Sequence, residues 1–356
     1  MWILFVILAV IGVVVIAAIA FVHQPSFGQL PRGARLERIE RSSHYRDGKF
    51  QNLSPTPTFT GDARGLVSGI GEFLNRKQDG LVPTRPIAAI ETDLRALDPS
   101  KDQLIWFGHS SFLLQVEGKR LLVDPVFDAA APLAFINRPF PGTDIYAAED
   151  MPEDIDVLLI SHDHWDHLDH DTVVKLMGRV KRVVCGLGVG AHFEHWGYPE
   201  AKIVELDWNE RVELGDGFTI HALPARHFSG RGLSSGKSLW ASFLVQAPSQ
   251  KIYVSGDGGY DAHFADIGQR FGDIDLVILE NGQYNKDWKY IHLMPEHLGR
   301  AARELNAKAL LTVHHSKYLL STHPWDEPLK NAADVAREEK SLRVLMPTIG
   351  EPVGWR

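Results

Sequence analysis

Residues 1–22 carry no charged side chain and read as one continuous apolar run. A helix of that length rises about 33 Å, enough to cross the hydrocarbon core of a bilayer. A cleaved secretory signal is the competing reading, since Ala18 and Ala20 offer a small-x-small site. Such signals carry a positive n-region and a shorter apolar stretch, and this segment has neither. The pattern predicts an uncleaved, single-pass N-terminal membrane anchor over 1–22. Arg32, Arg35, Arg38 and Arg41 follow it, whereas the other side carries only the α-amino group. That asymmetry predicts a cytoplasmic catalytic body. Glu37 and Glu40 are interleaved with the arginines, and the same spacing fits the exposed face of a short helix.

Between residues 24 and 100 short apolar pieces alternate with Pro55, Pro57, Gly61, Gly80, Pro83 and Pro86. This pattern predicts an extension over 23–100 packed on the next domain, with short helices near 64–76 and 87–96. From residue 101 to 356 the pattern is that of a strand-rich domain. Runs at 104–107, 112–116 and 120–123 predict consecutive strands, the last two joined by a turn at Glu117-Gly118. The wholly apolar run 157–160 predicts a buried strand. Further strands are expected at 182–185, 203–206, 218–222, 240–246, 251–254, 275–279, 309–313 and 343–346. Helices are expected at 170–178 and 295–306. Strands in two batches, each followed by helices, imply two sheets covered by helices.

Composition narrows the function. Lys and Arg total 37 against 45 acids, a net charge of −8. A general nucleic-acid binder gains its affinity from phosphate neutralisation, so no nucleic-acid partner is expected. Cys185 is the single cysteine, which excludes a Cys-rich zinc module and an intrachain disulfide. The chain has 17 histidines, and their placement carries the chemistry.

The string Ser161-His162-Asp163-His164-Trp165-Asp166-His167-Leu168-Asp169 follows the buried strand directly. His162 and His164 are two apart, so in extended backbone they project to one side. Asp166 and His167 can then turn toward a second ion. A polar loop without metal is the bland reading, but so many adjacent imidazoles would protonate and repel one another near neutral pH. His-x-His-x-Asp-His after an apolar strand resembles the signature of the metallo-β-lactamase superfamily. The resemblance implies an α/β fold, a four-layer αβ/βα sandwich, and further ligands downstream. Pro224-Ala225-Arg226-His227 offers His227, Ser255-Gly256-Asp257-Gly258 offers Asp257 as the bridging carboxylate, and Leu311-Thr312-Val313-His314 offers His314. His315 is the alternative to His314; strand geometry favours the residue immediately after the strand.

Trp106-Phe107-Gly108-His109-Ser110-Ser111-Phe112, Asp124-Pro125-Val126-Phe127, Leu239-Trp240-Ala241-Ser242 and Ile291-His292-Leu293-Met294-Pro295-Glu296 narrow the resemblance. They are similar to the branch containing N-acylphosphatidylethanolamine-hydrolysing phospholipase D and its bacterial relatives. The loop at 230–237 is Ser/Gly-rich and departs from the eukaryotic enzyme, which leaves the lipid open. The resemblance implies one ion on His162, His164 and His227, a second on Asp166, His167 and His314, and a hydroxide between them. A nitrogen and oxygen donor set without thiolate suits two Zn²⁺, or iron or manganese. His292 is the candidate substrate-phosphate contact or proton donor, or else a structural histidine. Asp169 and Asp124 each have two readings, holding a ligand histidine or serving a structural role such as a helix cap. His109 and His323 have no assigned role. The expected reaction is phosphodiester hydrolysis of phospholipase D type on N-acylphosphatidylethanolamine-like phospholipids. Lactone or ester hydrolysis at the same site is the alternative. The membrane is an expected partner, and residues 129–140 either lie on its surface or pack on the domain. Oligomeric state is open.

Overall fold

The computed structural model describes residues 2–61, 80–133 and 135–356. Helix α1 (Trp2–Val22) contains only apolar residues and Gly12, and none of them is buried. By length and composition it passes the test for a membrane span. Helix α2 (Gly33–Glu40) follows, then a hairpin of β1 (Tyr45–Arg46) and β2 (Lys49–Phe50). Arg35 pairs with Glu194 and Glu205, and Arg38 pairs with Glu210. Two of the four arginines after α1 are thus tied to the domain.

The first sheet is built by β3 (Gln103–Trp106), β4 (Phe112–Val116), β5 (Lys119–Val123), β6 (Ile155–Ile160), β7 (Val180–Gly186) and β8 (Ile203–Leu206). Helices α3 (His170–Leu176) and α4 (Gly190–His195) lie between β6, β7 and β8 in the chain. The second sheet holds β9 (Arg211–Gly215), β10 (Phe218–Leu223), β11 (Ser242–Gln246), β12 (Lys251–Val254), β13 (Ile274–Glu280), β14 (Ala307–Val313) and β15 (Arg343–Leu345). Its crossovers are α5 (His263–Phe271), α6 (Pro295–Glu304) and α7 (Glu327–Glu338), and β16 (Pro352–Val353) returns to the first sheet beside β3. The orders are β16-β3-β4-β5-β6-β7-β8 and β15-β14-β13-β12-β11-β10-β9. In each sheet antiparallel neighbours give way to parallel ones, at β5–β6 and at β12–β13. Parallel neighbours need a crossover; helices on the outer faces make five of the six, and the connection from β5 to β6 carries only a short 3-10 turn at Ala148–Asp150.

Strand periodicity of two sorts the core. Leu104, Trp106, Leu114, Val123 and Leu159 face Phe243, Val245, Val254, Ile278 and Leu311 across the gap between the sheets. The alternate residues Ile105, Leu113, Leu158 and Ile160 pack beneath Val173, Leu176 and Phe193 of α3 and α4. Tyr253, Val277, Leu279 and Leu310 pack beneath Phe264, Leu298, Ala301 and Val335. The result is the α/β arrangement of helix, sheet, sheet and helix.

Several local expectations are corrected. Residues 87–96 are not helical: Ala89 bridges Ile349 and the Ile90 N–H donates to its carbonyl at 2.8 Å, so backbone pairing replaces the helix. The helix expected at 64–76 lies outside the described residues. Phe140 is buried against Leu81 and Leu319, so within 129–140 it packs on the domain, whereas Phe135 is 66% exposed.

Helix α5 crosses α6 so closely that a Cβ on Gly268 would lie 1.8 Å from the Glu304 carbonyl oxygen. An alanine in a helix interior normally gains ~1 kcal/mol over glycine. Here Gly268→Ala should instead destabilise by about 1–3 kcal/mol through overpacking, read as a lower urea midpoint. A raised midpoint would show that the two helices do not meet in this way.

Candidate metal centre

Strands β5, β6, β10, β12, β13 and β14 all deliver their C-terminal ends to one edge of the sandwich. Asp124 follows β5, the His162–His167 string follows β6, and His227 follows β10. Asp257 follows β12, Glu280 ends β13, and His314 follows β14. Gly256 sits at φ +58°, and a Cβ there would meet Ser161 Cβ at 2.9 Å. Only glycine lets β12 turn Asp257 against the β6 loop. Non-glycine residues also take positive φ here: His109 at 53°, Asp124 at 40° and His314 at 70°. Such conformations cost on the order of 1–3 kcal/mol each and persist where the surroundings over-determine them.

Three imidazoles form one cluster. His162 Nε2 lies 2.9 Å from His164 Nδ1, and His227 Nε2 lies 3.3 Å from the same atom. A tetrahedral ion bound at ~2.0–2.1 Å sets its ligands about 3.3 Å apart, so the spacing fits one such ion. The far nitrogens are held: His227 Nδ1–H donates to the Ile291 carbonyl at 2.7 Å, and His162 Nδ1 lies 2.9 Å from Ser161 Oγ. Each of these contacts leaves Nε2 for the cluster.

Asp166, His167 and His314 form a second cluster. Asp166 Oδ2 lies 3.6 Å from His167 Nε2 and 3.4 Å from His314 Nε2. Asp257 Oδ2 lies 3.1 Å from His167 Nε2, 4.0 Å from His162 Nε2 and 3.9 Å from His227 Nε2. It therefore stands between the two groups. His167 Nε2 and His314 Nε2 are buried with no hydrogen-bond partner among the described residues. Buried polar atoms are seldom left so, and both nitrogens approach Asp166 Oδ2, at 3.6 and 3.4 Å, as ligands sharing one cation would. The residues fit a metal pair.

The electrostatics agree. Burial opposes charge on every group, yet Asp257 and Asp166 push His167 up to about 10. Asp257 likewise lifts His314 well above the ordinary histidine value. Against the same burial, His167 and His314 hold Asp257 well below the usual carboxylate range, and His167 and His109 do so for Asp166. Burial and neighbouring imidazoles push His162 well down, and burial does the same to His227 despite Asp257. Carboxylates that draw positive charge onto His167 and His314, beside the neutral imidazoles of His162 and His227, are a donor set for cations.

The seven sequence-predicted donors are thus brought together. Other expectations resolve differently. Asp124 accepts from His167 Nδ1–H at 2.8 Å and from the Ser161 N–H at 2.8 Å, so it orients a candidate ligand. Asp169 does not: it accepts from Thr172 Oγ1 and from the Asp128 N–H, fixing the loop after β5. His109, left without a role, donates Nε2–H to Asp166 Oδ2 at 2.9 Å. His315 turns away, with its ring nitrogens 3.1 Å from Thr312 Oγ1 and 2.8 Å from Ser316 Oγ. His323 accepts from the Gln283 N–H at 2.8 Å, outside the clusters. Glu280 was missed: it accepts from His292 Nδ1–H at 2.8 Å and approaches His314 Nδ1 at 3.2 Å. One acidic residue ending an apolar run gave no signal in the sequence.

The clusters open into a cavity of about 350 Å³ lined by His164, Asp166, His227, Phe228, His292 and His314. Beside it runs a groove of about 740 Å³ along residues 43–58, and Thr58, His227 and Phe228 line both.

The family description "Beta-lactamase superfamily domain" matches residues 119–315. An uncharacterized protein of Mycobacterium tuberculosis is 40% identical over 321 residues, covering 88% of this chain and 85% of its own. The N-acyl-phosphatidylethanolamine-hydrolyzing phospholipase D 1 of Caenorhabditis elegans is 30% identical over 274 residues, 69% of this chain and 74% of its own. Among solved structures, Igni18, a metallo hydrolase of Ignicoccus hospitalis, superposes with a TM-score of 0.54 at 19% identity. That match covers 71% of this chain and 97% of Igni18.

Asp257→Ala and His314→Ala should each leave the purified protein with at most about one metal equivalent, while His315→Gln keeps both, as plasma emission spectrometry would show. Full metal content in Asp257→Ala would remove the bridging role.

Proposed function

Since this chain belongs to the beta-lactamase superfamily and is a metal-dependent hydrolase, we propose that it cleaves membrane phospholipids as a phosphodiesterase of phospholipase D type. In this reading His162, His164 and His227 would hold one ion and Asp166, His167 and His314 another, with Asp257 as a donor to both. Zinc suits this donor set, with iron or manganese as alternatives. Bound divalent ions would supply Lewis acidity, stabilising charge on the phosphoryl oxygens and acidifying a water.

The observation that carries the proposal is the shape of the cleft. The cavity over the clusters continues into a groove twice its size, with Thr58, His227 and Phe228 common to both. An elongated diester fills such a path, whereas a compact lactone leaves the groove unused. The phospholipase D relative supports the same substrate class.

The chain's own residues have definite parts. Glu280 accepts from His292 Nδ1–H at 2.8 Å, which leaves His292 Nε2 for the cavity. With a second proton on Nε2, its charge offset by the Glu280 carboxylate, the ring would donate to a phosphate oxygen or protonate the departing alkoxide. Water adds to phosphorus, the P–O bond to the head-group alcohol breaks, and phosphatidic acid and the alcohol leave. Helix α1 anchors the enzyme beside its substrate, with the catalytic body on the cytoplasmic side.

Incubating the full-length protein with N-acylphosphatidylethanolamine, phosphatidylcholine and a lactone panel should release phosphatidic acid from a phospholipid. Lactone turnover without any phosphodiester turnover would overturn the proposal. His292→Ala should lower kcat by about 10²–10⁴ while retaining both metals.

A further inference from the structure

The segment after α1 is fastened to the back of the metal loop. Trp196 Nε1–H donates to the Pro25 carbonyl at 2.7 Å, and Arg231 Nε–H donates to the Ser26 carbonyl at 2.7 Å. The Gln29 N–H donates to His192 Nδ1 at 3.1 Å. Phe27 bridges the two parts, with its ring 5.2 Å from Phe21 of α1 and 5.0 Å from Trp165. Trp165 lies between His164 and Asp166 in the chain. Arg231 sits 4.1 Å over the Trp165 ring and gives hydrogen bonds to the Asp163 and Leu168 carbonyls. The exit of α1 is therefore fixed relative to the metal clusters.

The same exit shares a pocket of about 300 Å³ with the loop at 230–237. Val22, His23, Leu30, Arg32, Leu233 and Lys237 are among its lining residues. Leu233, at the loop tip, is 91% exposed, and Leu30 is 47% exposed. Large apolar side chains so exposed beside the end of an apolar helix leave a continuous apolar strip in water unless something covers it. Basic groups rim the strip. Lys237 Nζ donates to the Gly48 carbonyl, and neither it nor Arg32 has an ion-pair partner among the described residues. Ser235 and Gly236, on the same loop, line the groove that leads to the clusters. The loop is thus a wall between the end of α1 and the substrate path.

We propose that the loop at 230–237 is an interfacial docking surface resting on the bilayer that α1 spans. Leu233 enters the boundary between acyl chains and head groups, and Arg32 and Lys237 meet the phosphates of anionic lipids. Apolar insertion combined with basic residues is the chemistry of interfacial binding. Val22 ends the apolar run and lines the pocket with Leu233, so the depth of the loop is set by the anchor rather than by a partner protein. The inference rests on the reading of α1 as a membrane anchor, and its test separates the two.

Cys185 is fully buried, so a thiol-reactive nitroxide reports on an introduced cysteine. Full-length protein carrying Leu233→Cys, Val14→Cys or Met346→Cys is reconstituted in vesicles of phosphatidylcholine with about a third phosphatidylglycerol, which gives a negative surface. Accessibility to oxygen and to a water-soluble nickel chelate then gives the depth of each label. The label at 233 should lie at the head-group boundary, that at 14 in hydrocarbon and that at 346 in water. A label at 233 in water with 14 in hydrocarbon overturns the docking surface and leaves the anchor standing. A label at 14 in water overturns the anchor and the docking surface with it. A label at 233 shielded from both reagents shows that protein, a second copy or the chain itself, covers it and overturns the proposal. Retention of metal in each variant shows that it has folded.

Discussion

Burial of opposed charge at one sheet edge is the constraint on which the rest of this structure depends. Asp166 and Asp257 stand among five imidazoles, and all of these groups but Asp166 and His164, which line the cavity, are buried. Such a set is tolerable only when positive charge is shared among its members. Every backbone feature nearby serves to hold the groups at that separation. The positive φ values at His109, Asp124 and His314 and the glycine before Asp257 are backbone strain accepted to keep them there.

Topology makes the convergence possible without long loops. Parallel strands end side by side, so β5 and β6 in one sheet and β12, β13 and β14 in the other send their C-terminal residues to the same rim. Strand β10 is antiparallel to β11, which is antiparallel to β12, and so it delivers His227 to that rim as well. The interleaved apolar core between the sheets fixes the distance across which the two halves of the site face each other. A supporting layer locks orientation: Asp124 on His167, His109 on Asp166, Glu280 on His292, and the Ile291 carbonyl on His227.

The chain before the first sheet is also part of the site's surroundings. Asn52 takes the His227 N–H and donates to its carbonyl, at 3.1 and 2.7 Å, and residues 43–58 form one side of the groove. Residues 25–29 clasp the loop that carries His164 and Asp166. The part of the chain with the weakest periodic pattern therefore shapes the path to the clusters.

The sequence by itself determined most strands of the two sheets, though not β9, β16 or the β1–β2 hairpin, together with the apolar anchor pattern and the donor types, because period-two alternation and a dense His-Asp string are local properties of the chain. It favoured His314 over His315 only by its place after the strand, and it could not give His109 or Glu280 a purpose or choose between Asp124 and Asp169. Those outcomes depend on which way a side chain points after a strand ends and on what the neighbouring strand places opposite. The helix expected at 87–96 failed for the same reason, since pairing with Ile349, some 260 residues away, outweighs local propensity. Only the tertiary structure decided that the residues following α1 and the loop at 230–237 share a pocket, because contact between segments 200 residues apart leaves no trace in either segment's own pattern.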